Sequence, residues 1–161
     1  MQVNRWLVLA LVGGLVGADQ VRAEETAKEA TVEVVAKRGL MSAPAAPTVG
    51  LGFVSGGELF AADGATKVGD GNSHCGVLAV SAAVPPEVTT HCTSTFRLQD
   101  GQLHLSSVRT YETIASGFND TTMSIIGGTG AFANARGEGK VARTASDQGV
   151  AYKFVFTVIT D

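Results

Sequence analysis

The stretch "SIIGGTGAFANARGEGKV", residues 124–141, places Gly127, Gly128, Gly130, Gly137 and Gly139 directly after a short apolar run. Two readings compete. A phosphate-binding loop can be traced as GxGxxA through Gly128, Gly130 and Ala133. That fingerprint requires a long helix behind it, inside a βαβ unit, and an acidic residue about 20 positions on. Here Gly137 and Gly139 follow at once, the next segment alternates like a strand, and no GK[ST] is present. The stretch therefore reads as a tight crossover between two strands. Gly128 and Gly130 are expected to supply positive φ in it, where β-branched residues are resisted.

Outward from this crossover the period is two. Alternating apolar runs cover Thr31–Lys37, Glu58–Ala62, Lys67–Ser81, Glu87–Leu98, Gln102–Glu112, Thr121–Ile126, Glu138–Thr144 and Val150–Ile159. Between them stand Asp63-Gly64, Pro85-Pro86, Asp100-Gly101, Asn119-Asp120 and Asp147-Gln148-Gly149, all turn chemistry. Met41–Thr48, with Pro44 and Pro47, reads as a loop. Eight antiparallel strands on short connections hide their edges best by closing, so the expected fold is all-β, an eight-stranded antiparallel closed barrel; a β-sandwich is the alternative. Such a barrel is filled by side chains or holds one small ligand. Phe132 is expected under one barrel end, with Arg136 capping it.

The run "HCGVLAVSAAVPPEVTTHC", residues 74–92, folds symmetrically about a turn at Ala82–Pro85. Counting outward, Ser81 faces Pro86 and Cys75 faces Cys92. Directly opposed antiparallel residues lie about 4.5–5.5 Å apart, within disulfide reach. A Cys75–Cys92 disulfide is expected; two free buried thiols are the alternative. His74 and His91 precede the cysteines, but neighbours on a strand point to opposite faces, so the four cannot converge on zinc. The spacing of structural zinc sites is also missing. No metal site and no cofactor are expected.

The chain has 161 residues and a net charge of −3, with Lys37-Arg38 as the one adjacent basic pair. No basic stripe tracks a phosphate backbone, so nucleic acid is not an expected partner. Residues 1–23 read as a signal peptide: a charged start at Arg5, an apolar run Trp6–Ala18, and cleavage after Val21-Arg22-Ala23 or Val16-Gly17-Ala18. An uncleaved anchor is the alternative. The expected protein is exported, with no membrane association after cleavage. Residues 24–47 hold a leader, the first strand and a loop; residues 48–161 hold the rest of a barrel that spans 31–161. Its oligomeric state is left open.

The stretch "TMSIIGGTGAFANARGEGKV", residues 122–141, resembles the penultimate hairpin of the allene oxide cyclase barrel and dirigent-like superfamily. "ELFAADGATKVGDGNSHC", residues 58–75, is similar to that superfamily's early strand-turn-strand unit, and "HCTSTFRLQDGQLHLSSV", residues 91–108, to small exported bacterial members that pair two cysteines across this hairpin. The resemblance covers roughly residues 48–161. It implies a calycin-like barrel with an apolar pocket, serving ring-closing isomerases, pericyclases, or dirigent proteins that orient radicals. The plant cyclases carry a carboxylate and an amide on the first strand; Val34 and Ala36 stand there in this chain, which argues against their epoxide chemistry.

Parity then selects the interior. Phe60, Phe96, Met123, Phe154 and Phe156 are the expected ligand-binding residues. Glu58, Arg109, Tyr111 and Tyr152 are the polar minority among them and the catalytic candidates. Glu58 is the candidate general base, Arg109 the holder of an enolate or carboxylate, and the tyrosines the donors to a carbonyl. The competing reading is a buried Glu58–Arg109 pair without chemistry. The expected partner is a small, mostly apolar, oxygen-bearing molecule. Two functions follow: a cofactor-free cyclase or isomerase, or a non-catalytic binding or dirigent-like guiding protein.

Overall fold

The computed structural model describes residues 27–147 and 149–161, so the expected signal peptide and its cleavage sites lie outside the described residues. Eight strands follow one another: β1 (Lys28–Met41), β2 (Gly52–Phe60), β3 (Lys67–Val80), β4 (Val88–Leu98), β5 (Gly101–Tyr111), β6 (Thr121–Gly130), β7 (Arg136–Thr144) and β8 (Ala151–Thr160). Each pairs antiparallel with the next, and β1 pairs with β8 from Lys28↔Thr160 to Lys37↔Ala151. The sheet is thus a closed barrel, which excludes the sandwich.

Alternation holds best on β4, β5 and β8. Val88, Thr90, Cys92, Ser94 and Phe96 point inward from β4; Leu103, Leu105, Ser107, Arg109 and Tyr111 do so from β5. Tyr152, Phe154, Phe156 and Val158 follow from β8. Leu59, Leu103, Leu105, Met123 and Phe156 are fully buried and fill the barrel towards the β6–β7 turn. Aromatic rings continue the packing upward, Phe156 to Phe96 (5.9 Å between centroids), Phe96 to Phe154 (4.9 Å) and Phe154 to Tyr152 (6.4 Å).

Strand β2 corrects the expected pattern. It begins at Gly52 rather than Glu58, and Phe53 lies opposite Cys75 while Leu59 is fully buried. Odd-numbered positions therefore face inward, and Glu58 and Phe60 face out. Glu58 is exposed and pairs with Lys67 across the β2–β3 hairpin, and the Lys37 ammonium lies 4.3 Å from the centre of the Phe60 ring. The glycine pair Gly56-Gly57 carries no side chain through which alternation could be read, so the true start of the strand is hidden in the sequence.

Cys75 and Cys92 form a disulfide, with Cα atoms 4.1 Å apart at directly paired positions. The pairing matches the expected symmetry, although the turn does not. A bulge at Leu78 shifts the register, and the connection runs from Ser81 to Glu87, whose backbone groups hydrogen-bond to each other. His74 and His91 are exposed on the outer face.

The crossover at residues 124–141 is a hairpin between β6 and β7. Gly130 takes φ +64° and Asn134 φ 58°. Gly128 has no positive φ; its side of the chain is closed by the carbonyls of Phe132 and Gln102, which a Cβ would strike. Phe132 packs against the core as expected. Arg136 does not cap the barrel but pairs with Asp161 at 2.8 Å on the surface.

Two outcomes test this arrangement. Replacing Cys75 and Cys92 together by alanine lowers the stability measured by denaturant unfolding by about 3 kcal/mol, the value for a loop of this length. Gly130→Ala costs at least about 1–2 kcal/mol because an L-residue is strained in the left-handed region, whereas Gly76→Ala, whose Cβ would meet nothing within 4 Å, leaves the unfolding midpoint within error.

Candidate functional site

The end of the barrel opposite the β6–β7 hairpin is covered by the β5–β6 connection, residues 112–120. Ile114 and Phe118 from this segment are buried in the barrel mouth. Three side chains hold it there. The Tyr152 hydroxyl accepts a hydrogen bond from the Phe118 amide at 2.6 Å and donates to the Phe118 carbonyl at 3.1 Å. The Arg38 guanidinium donates to the carbonyls of Ala115 (2.6 Å) and Ile114 (3.5 Å). Arg143 donates to the carbonyls of Ser116 and Phe118. Phe118 and Tyr152 stack face to face, centroids 3.9 Å apart.

Beneath this cover lies a cavity of about 60 Å³, measured as the volume open to the centre of a water molecule. At about 10–15 Å³ for each water centre, that is room for roughly four waters or a small functional group. Its walls include Ala36, Met41, Leu59, Phe96, Phe118 and Phe154, and its polar groups include Ser55, Ser73, Arg109, Tyr111 and Tyr152. Lys37 and Arg38 stand at its rim. Among the described residues, no Asp, Glu or His is in its lining.

Arg109 dominates the electrostatics. It is 3% exposed. Its Nε donates to Ser107 Oγ at 3.0 Å, and Nη2 donates to Ser94 Oγ at 2.8 Å. Nη1 and Nη2 both reach Ser73 Oγ at 3.4 Å, and Ser73 is joined to Ser94 at 2.7 Å. The guanidinium carbon lies 4.5 Å from the centre of the Phe118 ring. These neighbours are neutral, and none of the salt bridges among the described residues includes Arg109. Burial pulls its pKa below the ordinary arginine value, against the opposing influence of Tyr111 and Tyr152. A guanidinium stays protonated even so. The result is a positive charge inside the barrel with no carboxylate beside it among the described residues, a costly arrangement by itself.

Burial likewise raises the pKa of the Tyr111 hydroxyl, which interacts with Arg109 and Thr90. Tyr152 is raised by burial too, with Arg143 and the Phe118 backbone pulling the other way. Both phenols are therefore neutral donors at ordinary pH.

Of the expected site residues, the structure brings together Arg109, Tyr111, Tyr152, Phe96 and Phe154. Met123 and Phe156 are buried below the cavity in the packed core and do not line it. Glu58 and Phe60 are outside, so the expected Glu58–Arg109 pair does not form. Phe118 was hidden because a loop has no period to read. Ser73 and Ser94 were accessible to parity, each two positions from a cysteine that faces inward.

Residues 25–156 match the allene oxide cyclase barrel-like domain. The chain belongs to that family. No curated protein sequence matches it. Among solved structures, a pyocyanin demethylase aligns at TM-score 0.63 with 22% identity, over 80% of this chain and 99% of its own. A pterocarpan synthase dirigent protein aligns at TM-score 0.58 with 15% identity, over 84% and 86%. An exo-specific intermolecular Diels–Alderase aligns at TM-score 0.61 with 14% identity, over 82% and 98%. At these identities the likeness shows a shared barrel, not a shared chemistry.

Tyr152 is the keystone of the cover. Tyr152→Phe removes both hydrogen bonds to Phe118 and costs about 1–3 kcal/mol, with faster amide exchange confined to residues 112–120. The phenol pKa values lie above the ordinary 10.0 in the folded state, so the unfolded chain loses these protons first. Their stabilising contribution is complete below pH 10 and declines as pH rises beyond it; unfolding midpoints measured from pH 8 to 12 check the sign.

Proposed function

We propose that this barrel binds a small, mostly apolar, oxygen-bearing molecule in the cavity under residues 112–120. The observation that supports this most is the convergence of Arg109 and Tyr111 on an otherwise aromatic and aliphatic chamber. A few polar groups aimed into an apolar cavity are the usual form of a small-molecule site. The solved relatives named for a demethylase, a dirigent protein and a Diels–Alderase agree with a barrel that handles small molecules.

The lining favours guidance over proton transfer. With Glu58 on the outer surface, no carboxylate or imidazole among the described residues lines the cavity to act as a general base. Any ring closure carried out here would rest on holding a flexible substrate near its reactive conformer, with Arg109 and Tyr111 polarising a carbonyl. The same absence suits a non-catalytic carrier or dirigent-like protein, which needs orientation alone. The Cys75–Cys92 disulfide agrees with function outside the cytosol, where such bonds persist.

A neutral apolar fluorophore, N-phenyl-1-naphthylamine, tests the binding reading. Saturable fluorescence enhancement is expected, weakened at least about tenfold by Phe154→Trp, since one added ring system fills the chamber and one buried aromatic contact is worth more than 1.4 kcal/mol. Binding that is absent, or unchanged in Phe154→Trp, contradicts it.

A further inference from the structure

The buried charge allows the ligand class to be narrowed. Resting on the binding role proposed above, we propose that the natural ligand is a carboxylic acid, bound as its carboxylate by the Arg109 fork, with its apolar body lying along Phe96, Phe118 and Phe154 towards the rim.

The orientation of the guanidinium is the first argument. Arg109 has its Nε edge satisfied by Ser107 and one Nη2 bond satisfied by Ser94. The end formed by Nη1 and Nη2 is the part that matches a carboxylate with two parallel bonds. In the structure that end meets one serine oxygen, Ser73 Oγ, at 3.4 Å from both nitrogens. Charge-assisted contacts to a carboxylate are shorter, about 2.7–2.9 Å. Ser73 spans the fork loosely and already has Ser94 as a partner at 2.7 Å, and the other neighbour of the guanidinium, the Tyr111 hydroxyl, is neutral too. Both Ser73 and Arg109 are in the cavity wall, so the fork is accessible from the chamber.

Charge is the second argument. The protein as a whole is acidic, with a net charge of −3. The cavity wall carries the opposite sign: Arg109 is a buried cation in it, and no carboxylate stands in the lining among the described residues. Arg38 is fastened to loop carbonyls and Lys37 lies over Phe60, so Arg109 is the cation available to a ligand inside. An anion there would supply the missing counter-charge in a low-dielectric setting, where the interaction is strongest.

Size is the third. The volume open to the centre of a water molecule, about 60 Å³, accommodates a carboxylate at the Arg109 end with part of an apolar body. The rest of the molecule must extend past the aromatic walls to the rim at Gly56 and Gly57, or displace the cover formed by residues 112–120. A carboxylate at the head of an apolar or conjugated body satisfies both limits. The two oxygens of a carboxylate meet the two nitrogens in separate parallel bonds, whereas the one charged oxygen of a phenolate or enolate would have to share them as Ser73 does.

Isothermal titration with cinnamate and octanoate, each against its amide, tests the assignment at pH 7.5. The two carboxylates are expected to bind at least 10-fold tighter than the amides and to raise the melting temperature. Arg109→Met is expected to abolish carboxylate binding while melting at or above the wild-type temperature, because it removes an uncompensated buried charge. Arg109→Lys, which retains the charge without the fork, is expected to bind the carboxylates at least 10-fold more weakly. Equal affinity for acid and amide would overturn the carboxylate assignment, and so would wild-type carboxylate affinity in Arg109→Met. Either result leaves the apolar chamber intact if N-phenyl-1-naphthylamine still binds. Failure of the neutral fluorophore and of all four probes would instead remove the binding role itself. Should Arg109→Met fail to fold, Arg109→Lys with the acid and amide pairs decides the question.

Discussion

Closure of β1 onto β8 commits every second side chain of eight strands to one shared interior. The interior is narrow, so neighbouring strands must share space, and small residues have to stand where large ones intrude. Gly139 passes beneath the Phe156 ring, and Gly71 lies against Phe96. This volume constraint divides the barrel. Towards the β6–β7 hairpin, Leu103, Leu105, Met123 and Phe156 are fully buried. Towards the other end, serines replace leucines on β3, β4 and β5, and the space they release accommodates Arg109.

The same parity that buries Leu103 and Leu105 also buries Arg109, two and three strand repeats further along β5. A charge carried inside in this way needs partners. The barrel gives it hydroxyls from Ser73, Ser94, Ser107 and Tyr111 and the face of Phe118, and among the described residues it gives no anion. Phe118 belongs to the cover, which depends on Tyr152, Arg38 and Arg143. The guanidinium and the cover are therefore coupled through one ring, so a ligand that reorders Arg109 is felt by residues 112–120. A buried charge without an ion pair costs stability, and the binding role proposed for Arg109 is consistent with that cost.

Much of this was legible from residue pattern. The eight strands, the closed sheet and the Cys75–Cys92 pair follow from period-two alternation and turn residues, because side chains on strands can be counted from any fixed point. Arg109, Tyr111 and Tyr152 were placed correctly for the same reason. Counting failed where it lacked a marker. Gly56 and Gly57 concealed the start of β2, the strand was entered one position out of phase, and Glu58 and Phe60 were turned inward. Phe118 was beyond reach because the β5–β6 connection crosses the barrel mouth without regular alternation. Met123 and Phe156 were assigned the right face but the wrong height, which depends on how tightly the barrel packs and not on parity.

Arg109 carries its charge inside the barrel with no carboxylate of the described residues beside it. NMR of protein labelled with ¹⁵N-arginine observes this most directly. The account predicts a slowly exchanging Arg109 Nε–H signal, identified by its loss in Arg109→Met, that shifts saturably when acetate is added at constant ionic strength. A signal that exchanges as fast as those of surface arginines, or that ignores acetate at saturating concentration, would contradict it.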